Sequence, residues 1–105
     1  MHVLQAHVTR CGGITNMLRI DDVCPAREIP FSAHCAPAIS AHACCAMESV
    51  QHIEYFFDHY RIESMLFDGT VAPDGGAPEP DRSRPGLGRE LRRADAERHQ
   101  VWSSR

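Results

Sequence analysis

His34 is the side chain whose position in this sequence most clearly suggests chemistry. It follows the short apolar run Phe31–Ala33, typical of a buried strand, and Pro37 then opens a segment of helical composition. In α/β proteins, the loop between a strand and the next helix commonly carries binding and catalytic groups. Because histidine changes charge near neutral pH, His34 is a candidate for proton transfer. The alternative is a solvent-exposed or capping histidine, since a catalytic site needs a complete set of groups.

Glu54 is the second candidate, because it is a carboxylate within the third apolar run of the chain, Ile53–Phe57. Burying a carboxylate without a partner is costly. Glu54 is therefore expected either to face a polar site or to mark an exposed strand end.

The five cysteines are spaced without a CxxC pair, at Cys11, Cys24, Cys35, Cys44 and Cys45. This spacing favours free thiols in a reduced cytoplasm. The alternative is a zinc site that joins His34 and Cys35 to His42 and Cys44, although this set matches no standard ligand pattern.

Charge and composition exclude several classes of function. The formal net charge is −3 and all eleven basic residues are arginine, so no mechanism that needs a lysine is available. The acidic balance argues against nucleic-acid binding. We find no signal peptide at the N-terminus and no apolar segment approaching the roughly 20 residues that span a bilayer.

The apolar pattern predicts alternating strands and helices that position these side chains. Ile14–Asn16 is expected to lead into a helix that Thr15 or Asn16 caps and that Pro25 interrupts. This order predicts a parallel βαβα unit. The predicted elements are a strand at Val3–Ala6, that first helix, a strand at Phe31–Ala33, a helix at Pro37–Met47 and the apolar run Ile53–Phe57.

The composition changes after Phe67 and predicts three segments. Residues 1–67 form the α/β part, residues 68–88 are a Pro/Gly-rich extended tail, and residues 89–105 hold a charged C-terminal helix. We expect its arginines to lie on a solvated helix face. Because a small parallel sheet has two open edges, the α/β part is expected to be a piece of a larger fold, such as a βα barrel of about 250 residues.

Three stretches of the sequence resemble the C-terminal end of the enolase superfamily, in its mandelate racemase-like subgroup. Leu4–Thr15 is similar to the seventh barrel strand and its loop, Phe31–His34 to the turn that bears the catalytic histidine, and His52–Tyr55 to the eighth-strand region. The tail Phe67–Gly88 is similar to the closing segment of the family. The resemblance implies an α/β fold, namely a C-terminal fragment of a (β/α) TIM-type barrel of about the last two βα units, with an extended tail and a C-terminal helix.

The resemblance also implies a chemistry and a role for each residue. Enzymes of the family abstract a proton next to a carboxylate, with Mg²⁺ stabilising the enediolate, and the parent activity would be a lyase or isomerase: a dehydratase or racemase of a sugar acid. By position, His34 would be the general base or acid and Glu54 the group that hydrogen-bonds the enolate oxygen. His7 stands where the family has an aspartate partner for His34. A histidine there supplies no negative charge, so His7 is expected to lower the proton affinity of His34.

The resemblance implies that the rest of the constellation is missing from these residues. The carboxylate metal ligands and the second acid/base, a lysine motif, lie on earlier strands of the family. We therefore expect a truncated or separately started fragment that is inactive alone and holds no cofactor or metal of its own. A second hypothesis is an interaction module that self-associates or binds a partner through its open sheet edges. The third is a small Cys/His metal-binding protein.

Overall fold

A three-stranded parallel sheet forms the centre of the fold. In the computed structural model, which describes residues 2–104, the strands are β1 (Leu4–Ala6), β2 (Phe31–His34) and β3 (Val50–Glu54). Their order is β1-β2-β3, and both pairs are parallel. The carboxyl ends of the three strands therefore lie at one edge of the sheet, as the predicted parallel unit requires.

The register between β2 and β3 contains one irregularity, and it decides which side chains meet. Phe31 and Ser32 lie opposite residues of β3 that are two positions apart, so Gln51 is an extra residue in that strand. Beyond this point, His34 lies opposite Glu54. Side chains alternate between the two faces of a strand, so a regular register would have placed an apolar residue of β3 opposite His34.

Two helices follow the first two strands, as predicted, but their bounds differ from the expectation. α1 covers Ile14–Asp21 and α2 covers Pro37–Cys44. The prediction that Thr15 or Asn16 caps α1 is wrong, because Gly13 lies at the N-cap. Pro25 begins a separate 3₁₀ helix, Pro25–Arg27, where its missing N–H costs no hydrogen bond.

Gly12 shows why the turn before α1 needs a glycine. Its φ is +97°, and a Cβ there would lie 2.4 Å from Nδ2 of Asn16. That amide donates a hydrogen bond of 3.0 Å to the carbonyl of Cys11, which fixes it in place.

The core lies between one face of the sheet and the helices. Phe31 and Met17 are fully buried at its centre, and the small side chains of α2 bring that helix close to the sheet. The buried cluster consists of Val8, Met17, Cys24, Phe31, Ala33 and Ala43.

Asp21 is a buried carboxylate that ties α1 to the start of β3. Its side chain is 6% exposed and accepts backbone N–H bonds from Glu48 at 2.8 Å and from Ser49 at 3.1 Å. A carboxylate near a helix C-terminus is unfavourable for the helix dipole, so these tertiary bonds explain its presence there.

A third helix, α3 (Phe57–Leu66), was not predicted. The apolar run Ile53–Phe57 is divided between two elements, because β3 ends at Glu54 and the helix begins three residues later. The tail then adds short antiparallel pairs. β4 (Phe67–Asp68) pairs with β7 (Glu90–Leu91), while β5 (Pro73–Asp74) and β6 (Ala77–Pro78) form a hairpin.

The C-terminal helix, α4, covers only Arg93–Glu97, so it is shorter than expected. The arginines of residues 89–105 were expected to lie on a solvated helix face. This expectation is wrong for Arg89, which precedes α4 and whose side chain is only 10% exposed. Its guanidinium carbon lies 4.2 Å from the centroid of the Phe67 ring, and Nη2 lies 3.5 Å from a carboxylate oxygen of Glu63. Among the described residues, no helix is long and apolar enough to cross a membrane.

Candidate functional site

The carboxyl edge of the sheet brings together the three side chains that the sequence singled out. His34 ends β2 and Glu54 ends β3, while His7 directly follows β1. Because the strands are parallel and adjacent, residues that are far apart in sequence meet here. Their roles in catalysis remain a prediction.

His34 and Glu54 are in direct contact. Nδ1 of His34 pairs with Oε2 of Glu54, and Nε2 of Gln5 donates a hydrogen bond of 3.2 Å to the same carboxylate oxygen. The side chains of His34 and Glu54 are 32% and 38% exposed, so solvent and small molecules reach the pair. Sequence reasoning missed Gln5, although a polar residue between the apolar neighbours of β1 was a signal that one face of the strand is polar.

His7 lies beside His34 without sharing a hydrogen bond with it in the described structure. The two rings meet edge to face with their centroids 5.4 Å apart. Nδ1 of His7 instead accepts the backbone N–H of Thr9 at 3.2 Å and lies 3.0 Å from its hydroxyl oxygen. Partial burial lowers the pKa of His7, and Arg10 and His34 lower it further. His7 is therefore a neutral neighbour of His34 at neutral pH.

Cys35 lies at the ring nitrogen of His34 that does not face Glu54. Its Sγ lies 3.3 Å from Nε2 of His34, and its side chain is only 4% exposed. Cys35 and Ala36 adopt left-handed backbone conformations with φ of +54° and +44°, which are unfavourable for residues with a Cβ. Burial raises the pKa of the Cys35 thiol, and the Glu54 carboxylate raises it further. The carbonyl of Cys35 accepts a hydrogen bond of 2.8 Å from the Ser40 hydroxyl, which holds this turn against α2.

The described structure does not assemble the zinc set that the sequence offered as an alternative to free thiols. Nε2 of His42 lies 3.2 Å from the carbonyl oxygen of Leu87 in the tail, away from the strand ends. In the described part of the chain, His34 and Cys35 instead form a metal-capable group with Glu54, whose ligand atoms lie within 4.8 Å of one another. All five cysteines are free.

This group does not fit Mg²⁺, the ion that the resemblance implies. Mg²⁺ demands octahedral coordination and is bound by carboxylates, phosphates and water. The group offers one carboxylate, one imidazole nitrogen and one sulfur, so it lacks the set of oxygen ligands that Mg²⁺ requires.

The fold and the site define a class of protein: a piece of a βα barrel with polar groups at the carboxyl ends of its strands. The family model for enolase C-terminal domain-like proteins matches residues 1–96. The chain therefore belongs to the enolase C-terminal domain-like family, and the predicted fold class, a fragment of its (β/α) barrel, is confirmed. The chain has no significant match among curated proteins.

Solved structures of related proteins support the assignment. A mandelate racemase/muconate lactonizing enzyme-like protein from Rubrobacter xylanophilus is 64% identical, with a TM-score of 0.87 over 91% of this chain and 27% of that chain. An enolase from alpha proteobacterium bal199, solved with bound Mg, is 22% identical, with a TM-score of 0.77 over 91% of this chain and 25% of that chain. An enolase of the mandelate racemase subgroup from Agrobacterium tumefaciens is 19% identical, with a TM-score of 0.71 over 92% of this chain and 28% of that chain. The last two share the fold alone, and the chain spans about a quarter of the length of these proteins.

Proposed function

We propose that this chain is the C-terminal part of the barrel of a mandelate racemase-like enzyme, in which His34 carries a proton to or from the carbon next to a carboxylate. The substrate would be a small carboxylate such as a sugar acid, and the reaction a dehydration or racemisation. The observation that carries this proposal is the contact between His34 and Glu54 at the carboxyl edge of a parallel sheet.

The contact prepares His34 to act as a base. With the carboxylate as acceptor, the ring proton lies on Nδ1, so Nε2 carries the lone pair. The Cys35 thiol, 3.3 Å from Nε2, gives way to the substrate C–H group when the substrate binds. When the substrate C–H bond breaks, its electron pair remains on the substrate as an enediolate and the proton moves to Nε2. The imidazolium that forms is stabilised by the negative charge of Glu54. His7 cannot supply this charge, so Glu54 takes over the part that the family gives to an aspartate.

This role of Glu54 differs from the one that the resemblance implies. A hydrogen bond to the enolate oxygen needs a protonated carboxyl group, whereas orienting His34 needs the carboxylate. The shared contacts of Oε2 with His34 and Gln5 support the orienting role.

We further propose that the 105 residues do not catalyse the reaction alone. The sequence contains no lysine to act as a second acid/base, and the group at the strand ends lacks the oxygen ligands for Mg²⁺. The enediolate would be stabilised by Mg²⁺ held by other parts of the barrel, as the bound Mg of a solved neighbour suggests.

The test is exchange of an α-proton followed by NMR in D₂O with Mg²⁺. A panel of sugar acids first identifies one whose α-proton the Rubrobacter relative exchanges. The chain alone is then expected to give no exchange, while a chimera that carries it in place of the matching segment exchanges the proton. In that chimera, His34→Ala is expected to reduce the rate about 10²–10⁴-fold, the usual contribution of a general base.

His42→Ala is the matched control, because His42 lies on α2 and contacts the tail. It is expected to keep the exchange rate of the chimera. A folded chimera without exchange, or one in which His34→Ala and His42→Ala behave alike, would refute the proposal.

A second candidate function is self-association. Within residues 2–104, β1 and β3 are the unpaired edge strands of the sheet, and several large apolar side chains of α3 and the C-terminal segment lie exposed, including Phe57 at 69% and Trp102 at 77%. Parallel sheets are normally covered on both faces, so these surfaces favour pairing with another chain. Light scattering is expected to show oligomers, and a monomer that unfolds cooperatively would contradict this candidate.

Two further proposals concern the division of the chain and its location. The division into a partial barrel at residues 1–67, a tail at 68–88 and a C-terminal segment at 89–105 is supported by the parallel sheet, whose three strands all lie in the first part. A cytoplasmic location is supported by the five free cysteines, which a reducing compartment maintains.

A further inference from the structure

The turn after β2 places three different metal-binding donors around one point. The imidazole of His34, the thiol of Cys35 and the carboxylate of Glu54 offer ligand atoms that lie within 4.8 Å of one another. We propose that these three side chains bind a thiophilic divalent cation, and that Zn²⁺ is the ion whose preferences they fit. This inference goes beyond the proposed function, since it concerns a different ion held by different atoms.

The distances suit a small tetrahedral ion. Zn–N and Zn–S bonds of about 2.0–2.1 Å and 2.3 Å at a tetrahedral angle separate nitrogen and sulfur by about 3.5 Å. Nε2 of His34 and Sγ of Cys35 are 3.3 Å apart, close to this separation. Nδ1 of the same ring faces Glu54, so each ring nitrogen lies next to one of the other two donors. The two ring nitrogens face different directions, so one ion can bind only one of them. We place the ion at Nε2, beside Cys35, and the Glu54 carboxylate then leaves Nδ1 and rotates toward the sulfur to complete the set.

The surroundings keep the donors at the same edge of the sheet. The hydroxyl of Ser40, which is fully buried, donates to the carbonyl of Cys35, and the amide of Gln5 donates to the carboxylate of Glu54. Hydrogen bonds of this kind orient the ligands in metal sites. The left-handed conformation of Cys35 turns the chain back directly after His34, so that consecutive residues present their side chains to the same point.

The charges of the donors match a divalent cation. On binding, the S–H bond of Cys35 breaks and its proton passes to solvent, while the thiolate, the carboxylate and one imidazole nitrogen donate lone pairs to the ion. Thiolate and carboxylate together carry two negative charges, which neutralise the cation. The partial exposure of His34 and Glu54 lets water fill a fourth position. Three protein ligands and an open position are typical of a reactive zinc site.

The sulfur donor selects the class of ion. Thiolate and imidazole ligands favour Zn²⁺ and related transition metals, whereas Mg²⁺ prefers oxygen ligands. An ion at this position occupies a nitrogen of His34, so the bound form is not the form that transfers protons. A test of metal binding needs no turnover, so its failure can be told apart from a failure of the proposed proton transfer.

The test is a titration of the chelator-treated, reduced 105-residue chain with Co²⁺, a spectroscopic substitute for Zn²⁺. A thiolate-to-cobalt charge-transfer band is expected to saturate at one ion per chain. Zn²⁺ is expected to abolish the band, and a large excess of Mg²⁺ is expected to leave it unchanged. Cys35→Ser is expected to remove the band, and Glu54→Ala to weaken Co²⁺ binding at least about tenfold.

Cys45→Ser is the matched control, because Cys45 is an exposed thiol outside the group. It is expected to keep the full band. Circular dichroism checks that each variant folds, and His34→Ala replaces Cys35→Ser if the latter does not. Absence of the band from the folded wild-type chain, its persistence in Cys35→Ser, or its loss in folded Cys45→Ser would overturn the proposal.

Discussion

Replacing Asp21 tests whether the link between α1 and β3 holds the sheet together. The carboxylate is buried and accepts the backbone N–H groups of Glu48 and Ser49. Hydrogen bonds to a charged group contribute about 1.5–3 kcal/mol each, and a buried N–H without a partner costs about 1–3 kcal/mol. Because these contributions overlap, Asp21→Ala is expected to lower the free energy of unfolding by about 3 kcal/mol.

Asp21→Asn separates the two bonds. An amide keeps one oxygen acceptor but presents its NH₂ group to the second backbone N–H, so this variant is expected to lose about half as much. Asp22 is the matched control, because it is the next residue along and is exposed. Asp22→Ala is expected to change the free energy of unfolding by about 0.5 kcal/mol or less.

The assay is urea unfolding followed by circular dichroism, with midpoint and slope compared between variants. The link also sets where β3 begins, because the carbonyl of Ser49 accepts the N–H of Phe31 at 2.8 Å. Equal midpoints for Asp21→Ala and Asp22→Ala would refute the reasoning. If Asp21→Ala does not fold, the comparison of Asp21→Asn with Asp22→Asn still shows whether the Asp21 hydrogen bonds stabilise the fold.

The remaining predictions concern thiols and the tail. Maleimide labelling at pH 8 followed by mass spectrometry is expected to modify the exposed Cys45 well before Cys44, because burial raises the pKa of Cys44 to about 11; equal rates would contradict this. Because the folded state holds the Cys44 proton more tightly than the unfolded chain does, the contribution of Cys44 to stability is present below pH 9 and is lost as pH rises toward 11. The denaturant midpoint of Cys44→Ala is therefore expected to fall less than that of the wild type over that range. Arg89→Ala is expected to lower the free energy of unfolding by about 1 kcal/mol, since its guanidinium lies on the Phe67 ring, whereas the exposed Arg93→Ala changes it little; similar values in urea unfolding would count against this packing.

Local sequence signals were sufficient where one element matched one pattern. β2 and the start of α2 follow directly from an apolar run that ends at a histidine and from a proline at a first helical position. The same kind of signal failed at Ile53–Phe57, because a strand end and a helix start are joined there without a polar break. Periodicity alone cannot separate two short apolar elements of this kind.

The charged C-terminal segment shows a different limit. Alternating arginine and acidic residues predicted a solvated helix, but Arg89 packs on Phe67 and pairs with Glu63 of α3. An arginine carries both an apolar stem and a planar charged group, so its burial depends on which partners the fold brings to it.

The sequence by itself determined the α/β order, the position of His34 at a strand end and the resemblance that the family match confirmed. These features depend on local patterns that are read along the chain. Only the tertiary structure decided that His34 pairs with Glu54 rather than His7, and that Cys35 joins the pair. The extra residue in β3 shifts the β2–β3 register by one position, so that Glu54 rather than Ile53 faces His34. Cys35 joins the pair because its left-handed backbone turns the chain back directly after His34.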